Sequence, residues 1–176
     1  MKINTKTIAR TGILLAVTIV LQSLGRIIPL GPYSNFIVGP LVNASLLVST
    51  AATGLIGGAV ISIATPFVAS FTAGVPILFA PFIAIGNFIL VLLFYIFIKK
   101  NKIVGIVSGA VLKFAFLTAA INIFVQVVKL AEKQVANMLY AFSWPQLVTA
   151  IIGGILALVV LQALGEKIKK TGQETG

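Results

Sequence analysis

The chain has 176 residues, of which 59% are hydrophobic and 9% are charged, and its mean hydropathy is +1.14. Soluble domains carry roughly 25% charged and about 45–50% apolar residues, so a single water-soluble globule is excluded and the solvent must be mostly lipid. Cys and His are absent, and the three carboxylate side chains are Glu132, Glu166 and Glu174; this removes thiol nucleophiles, disulfides, histidine bases and Cys/His metal sites.

A membrane-spanning helix needs about 20 apolar residues. Six stretches qualify in chain order: about 8–24, 35–49, 52–71, 77–98, 103–130 and 145–164. The first follows a basic start, Met1 to Arg10. Its apolar run exceeds the ~7–15 residues of a signal-peptide core and is read as a membrane helix. Arg26 to Pro32 reads RIIPLGP, which cannot continue a helix. The second and third stretches almost touch near Thr50 and are together too long for one span, so a tight hairpin is expected. The third contains Pro66. Thr72 to Pro76 (TAGVP), Lys99 to Lys102 (KKNK) and the mixed segment Glu132 to Trp144 separate the remaining stretches. The expectation is one all-α transmembrane domain over 1–176, with a frayed tail at about 171–176.

Charge sets the orientation. With six spans both termini share a side, and that side holds nine basic residues: Lys2, Lys6, Arg10, Lys99, Lys100, Lys102, Lys167, Lys169 and Lys170. The other holds three, Arg26, Lys129 and Lys133. Positive residues favour the cytoplasm, which predicts cytoplasmic termini in the cell membrane. The net charge of +10 is thereby explained by topology, without nucleic acid.

Lys113 lies ten residues into the fifth stretch, ~15 Å deep at 1.5 Å per residue. A central lysine costs about 2.5 kcal/mol or more, and no carboxylate lies at that depth. Either it faces a polar cavity and an anionic or carbonyl-rich ligand, or it snorkels or caps backbone carbonyls. Asn43 and Asn87 fall at similar depths and need partners; with Lys113 they are expected to form the polar floor of an outward-facing pocket. Each has a structural alternative, an interhelical hydrogen bond. Asn122 shares a helix face with Gln126 and is a further pocket candidate. So are Arg26 and Tyr33 in the first external loop, and Trp144 and Gln146 beside Pro145. Aromatic residues here have a competing role as interface markers. Small residues recur at four-residue spacing in Gly12/Ala16, Gly54/Gly58 and Gly105/Gly109, which lets helices approach closely.

No G-x-x-x-x-G-K-[ST] is present, so the chain carries no P-loop of its own; transport energy would come from another subunit. The absence of His, Cys and mid-membrane carboxylates counts against an intramembrane enzyme using Lys113 or a hydroxyl. A small structural or accessory membrane subunit without its own ligand is the other alternative.

The basic start running into ARTGILLA (Ala9 to Ala16), the loop RIIPLGP and the stretch NFIVGPLVNASLL (Asn35 to Leu47) together resemble the substrate-binding S component of energy-coupling factor (ECF) transporters. The resemblance covers nearly the whole chain. It implies high-affinity capture of a vitamin or related micronutrient from outside. It also implies assembly with a transmembrane coupling (T) subunit and two ATPase subunits, and no cofactor. The family's Ala-x-x-x-Ala motif on the first helix, which contacts the coupling subunit, has its nearest match here in Gly12 and Ala16; Gly at the first position keeps the small surface but departs from the strict motif. By region, the family's substrate contacts would include the loop near Arg26 and Tyr33, with Asn87, Asn122, Trp144 and Gln146.

Overall fold

The computed structural model describes the backbone of residues 5–27, 31–72 and 75–174. Side chains at 26, 31, 32 and 166–174 are not among the described ones. Every regular element in the described residues is helical: α1 (Thr5–Ile27), α2 (Asn35–Thr72), α3 (Ala80–Phe97), α4 (Lys102–Val127), α5 (Glu132–Ala141) and α6 (Trp144–Glu174), with short 3-10 turns at Gly31–Ser34 and Ile77–Phe79. Five helical stretches are long and apolar enough to cross a membrane. Residues 175 and 176 of the expected frayed tail lie outside the described residues, while α6 itself reaches Glu174.

The 38-residue α2 is broken at Gly54, whose φ of 76° and ψ of −172° are non-helical. That region of backbone space belongs almost wholly to glycine. The chain reverses there: a Cβ on Gly58 would lie 3.2 Å from Cβ of Thr50, whereas eight residues of straight helix span about 12 Å. α2 is thus two antiparallel limbs, 35–53 and 55–72, as the expected hairpin requires. Gly54 serves as the hinge and not as half of a packing stripe, which corrects the reading of the Gly54/Gly58 pair. Gly58 does pack closely, against Thr50 and Val91.

Leu46 of the first limb, Ile61 of the second and Val91 of α3 form one buried cluster, with Leu14 and Leu15 of α1 against it. Ala44, Leu47, Leu90, Phe94, Ile106 and Ala157 form a second, joining α2, α3, α4 and α6. A third, aromatic cluster fills the end where α3 starts and α4 stops: Phe79 packs on Phe82, Phe124 and Phe142 with ring centroids 4.8–5.5 Å apart. Hydroxyls inside the apolar helices bond to carbonyls one turn back. Examples are Thr50 to Leu46 O (2.7 Å), Thr53 to Ser49 O (2.7 Å) and Thr65 to Ile61 O (2.9 Å). These bonds satisfy polar groups where lipid supplies no partner.

The KKNK segment ends α3 and starts α4. Asn101 Oδ1 accepts hydrogen bonds from the backbone N–H of Ile103 (3.0 Å) and Val104 (3.2 Å), capping α4. The segment from Glu132, read from sequence as a break, is instead the ten-residue helix α5. Its inward residues Val135, Met138, Leu139 and Phe142 follow the i, i+3, i+4, i+7 pattern of an amphipathic helix.

Gly54→Ala forces a side chain into glycine-only backbone space, at a cost of about 1–3 kcal/mol. It is expected to lower the midpoint of thermal unfolding in detergent, followed by circular dichroism. Gly12→Ala, whose added Cβ meets nothing within 4 Å, is expected to keep or raise that midpoint, since Ala is favoured over Gly in a helix interior.

Candidate functional site

The site begins with helix spacing. Along the α3–α4 seam, a Cβ on Gly105 would lie 3.1 Å from the Phe94 backbone, and one on Gly109 would lie 3.2 Å from that of Leu90. The glycine pair expected from sequence thus brings α4 against α3. One turn beyond Gly109, Lys113 reaches Asn87, one turn before Leu90. The next turn is locked by Leu117 packed on Gly86. On the far side, a Cβ on Gly153 of α6 would lie 2.7 Å from Pro40 O and 2.6 Å from Asn43 Cβ; this close approach seats the first limb of α2.

The expected convergence of three polar residues is present. Lys113 Nζ donates to Asn43 Oδ1 at 2.6 Å and to Asn87 Oδ1 at 2.8 Å. All three are buried, with 3–4% of their surface exposed. A lysine at this depth costs about 2.5–3.5 kcal/mol or more. Hydrogen bonds to a charged group contribute about 1.5–3 kcal/mol each, so two of them match the lower estimate.

Above this trio lies a cavity of about 890 Å³, within the upper range of small-molecule sites. Asn43, Asn87 and Lys113 line it, with Thr65 and Pro66 of the second α2 limb. The walls also include Ser34 and Asn35 at the start of α2, Thr72 at its end, Val75 and Pro76 before α3, and Lys133, Asn137 and Tyr140 of α5. Also in the lining, Gln22 Nε2 donates to Thr72 Oγ1 at 3.3 Å.

The other sequence candidates divide. Gln146 lines the cavity and donates Nε2 to Ala141 O at 3.0 Å, tying α6 to the end of α5. Trp144 does not line it. Its half-exposed ring packs between Phe36 and Tyr140, with centroids 5.6 and 5.8 Å away, so it braces the rim. Tyr33 is 68% exposed and stands outside the lining, whereas its neighbours Ser34 and Asn35 are part of it. Asn122 is exposed and returns its Nδ2 to Thr118 O at 2.7 Å. It follows Lys113 by nine residues, two and a half turns at 3.6 residues per turn, and so faces away from the cavity. The Arg26 side chain lies outside the described residues. Sequence reading missed Gln22 and Asn137. Gln22 was detectable as a lone amide within an apolar helix; Asn137 required α5 to be recognised first.

Gly12 and Ala16 lie on an exposed face of α1, beside exposed Ile13, Val17 and Val20. The opposite face, through Leu14, Leu15 and Thr18, packs on the two limbs of α2, with a 2.5 Å hydrogen bond between the hydroxyls of Thr18 and Ser45.

A multi-pass helical bundle with a polar-floored cavity open at one end has the form of a membrane solute-binding protein. Residues 6–165 match the family model for the substrate-specific component of ECF transporters, and the chain belongs to that family. It is a substrate-specific membrane subunit of an ECF transporter, a transport component and not an enzyme. Comparison with curated proteins and with solved structures gave no match.

Replacing Lys113 with Met keeps the apolar stem and removes the buried charge. The unfolding midpoint of Lys113→Met is expected to stay close to that of the parent, because the ammonium's burial cost of about 2.5 kcal/mol or more disappears together with bonds of similar worth. A large fall in thermal unfolding would instead show that the lysine is a structural tie.

Proposed function

We propose that this chain captures a small water-soluble micronutrient from outside the cell in the cavity above Lys113. It then delivers the solute inward through a T subunit and two ATPases. The observation that carries this reading is the buried trio of Lys113, Asn43 and Asn87 at the floor of a cavity of about 890 Å³. An intramembrane ionisable residue facing a cavity is characteristically functional. A purely structural tie would not need such a space above it. Family membership supports the T subunit, the ATPases and a small-molecule ligand as partners.

The reading includes six spans, the limbs of α2 counting as two. Both termini and the Lys99–Lys102 turn then face the cytoplasm, and α5 faces outside, in accord with the excess of basic residues on the inner side. Because the chain has no Cys, single cysteines report sidedness directly. In intact cells, Ala136→Cys should react with a membrane-impermeant maleimide and Lys100→Cys should react only after permeabilisation. The reverse pattern would invert the topology.

In this reading the face bearing Gly12 and Ala16 docks against the T subunit, since small residues permit close helix approach. A tagged pull-down from native membranes in mild detergent should recover two P-loop ATPases and one larger membrane subunit, identified by mass spectrometry. Gly12→Leu and Ala16→Leu should each lose those partners while unfolding at the parent's temperature, because the face is open. Failure to recover any ATPase, even after cross-linking, would overturn the transporter reading.

A further inference from the structure

Building on that reading, we infer that the solute is a small organic acid whose carboxylate rests on the floor formed by Lys113, Asn43 and Asn87. Lysine has three N–H donors and no acceptor. Each asparagine must therefore turn its Oδ1 towards Nζ, and the distances of 2.6 and 2.8 Å show that both do. This fixes the orientation of both amides: each turns its donor Nδ2 away from Nζ, on a residue that lines the cavity. Two of the three ammonium N–H groups are taken up by these amides. With four amide N–H groups beside them, the floor is richer in donors than in acceptors.

A ligand group that satisfies such a floor brings acceptors alone. An ionised carboxylate does so, with two oxygens and about four lone-pair sites. Charge points the same way. Among the described residues no carboxylate stands beside the buried Lys113, and no Asp or Glu is in the cavity lining. One negative charge neutralises the floor. A phosphate monoester, at about −1.5 to −2, would leave excess negative charge buried, which is costly. A neutral carbonyl would leave the lysine uncompensated. Lys133, on the cavity wall in α5 but exposed where the floor is buried, favours the approach of an anion and is too screened by solvent to compensate charge at the floor.

The test uses the purified full chain in detergent and three pairs of compounds on shared skeletons: nicotinate against nicotinamide, pantothenate against pantothenol, and lipoate against lipoamide. Binding is read by titration calorimetry. At least one acid is expected to bind, with its neutral counterpart at least 100-fold weaker. Asn87→Asp places a carboxylate beside Lys113, neutralising the floor without removing the lysine. It should weaken acid binding at least 100-fold while keeping the parent's unfolding midpoint, and should not weaken the neutral compound. Equal or tighter binding of the neutral member overturns the carboxylate assignment. So does the absence of binding by any acid when the chain still recovers its ATPases, an outcome that leaves the transporter reading intact. If acid binding and ATPase recovery both fail, the transporter reading falls and the assignment with it.

Discussion

The structure turns on one constraint: a lysine ammonium buried among apolar helices must be given acceptors by other segments. Lys113 receives them from the first limb of α2 and from α3. For two amide oxygens to reach one nitrogen, three helices must come close together. The glycines permit this. Gly105, Gly109 and Gly86 close the α3–α4 seam, and Gly153 sets α6 against Pro40 and Asn43. The small residues and the polar trio are therefore one design. Widening either contact by a side chain would draw the amides away from the ammonium and leave a buried charge without partners.

Several buried hydroxyls behave differently, although Ser49 Oγ and Thr118 Oγ1 are buried without a partner among the described residues. Along α2, buried hydroxyls are turned onto carbonyls of their own helix at Thr50, Thr53 and Thr65. Such groups are satisfied locally and make no demand on a neighbour. At Lys113 and its two amides the donors outnumber the acceptors, and the surplus N–H groups belong to residues that line a cavity. Unsatisfied donors at membrane depth are tolerable where water or a solute can reach them. The surplus and the space explain each other: without the cavity the donors would be stranded, and without the donors an apolar cavity would hold nothing polar.

Much of this was legible in the sequence, and the limits have physical causes. Lys113 stood out because a charge in a long apolar run is expensive, and depth counting alone matched it with Asn43 and Asn87. A reversal within the 35–72 run followed from its length, but its turning point did not. Gly54 differs from its neighbours Gly57 and Gly58 only in backbone torsion, which composition cannot reveal. Depth also proved insufficient for Asn122, because a residue must have the right rotation about its helix as well as the right height. Trp144 and Tyr33 lie at the correct end of the bundle, yet a large amphipathic ring is equally suited to bracing a rim. The helix α5 was hidden by its charged first turn, although its apolar spacing was regular.

α1 connects the two ends of the proposed mechanism. It is the least enclosed of the long helices, with 17% of its apolar window buried. Its inward face is held at Gly57, which leaves room for the Thr11 side chain, at the Thr18–Ser45 hydrogen bond, and at Gln22 against Thr72 beside the cavity. The outward face carries Gly12 and Ala16 with little above them. A helix packed chiefly along one face is displaced at lower cost than one enclosed on all sides. An occupant of the cavity that engages Gln22 acts on α1 from inside, and a partner seated on Gly12 and Ala16 acts on it from outside. Binding at the two faces would then be coupled through the position of one helix packed chiefly on α2, and by linkage each would alter the affinity of the other to the same degree.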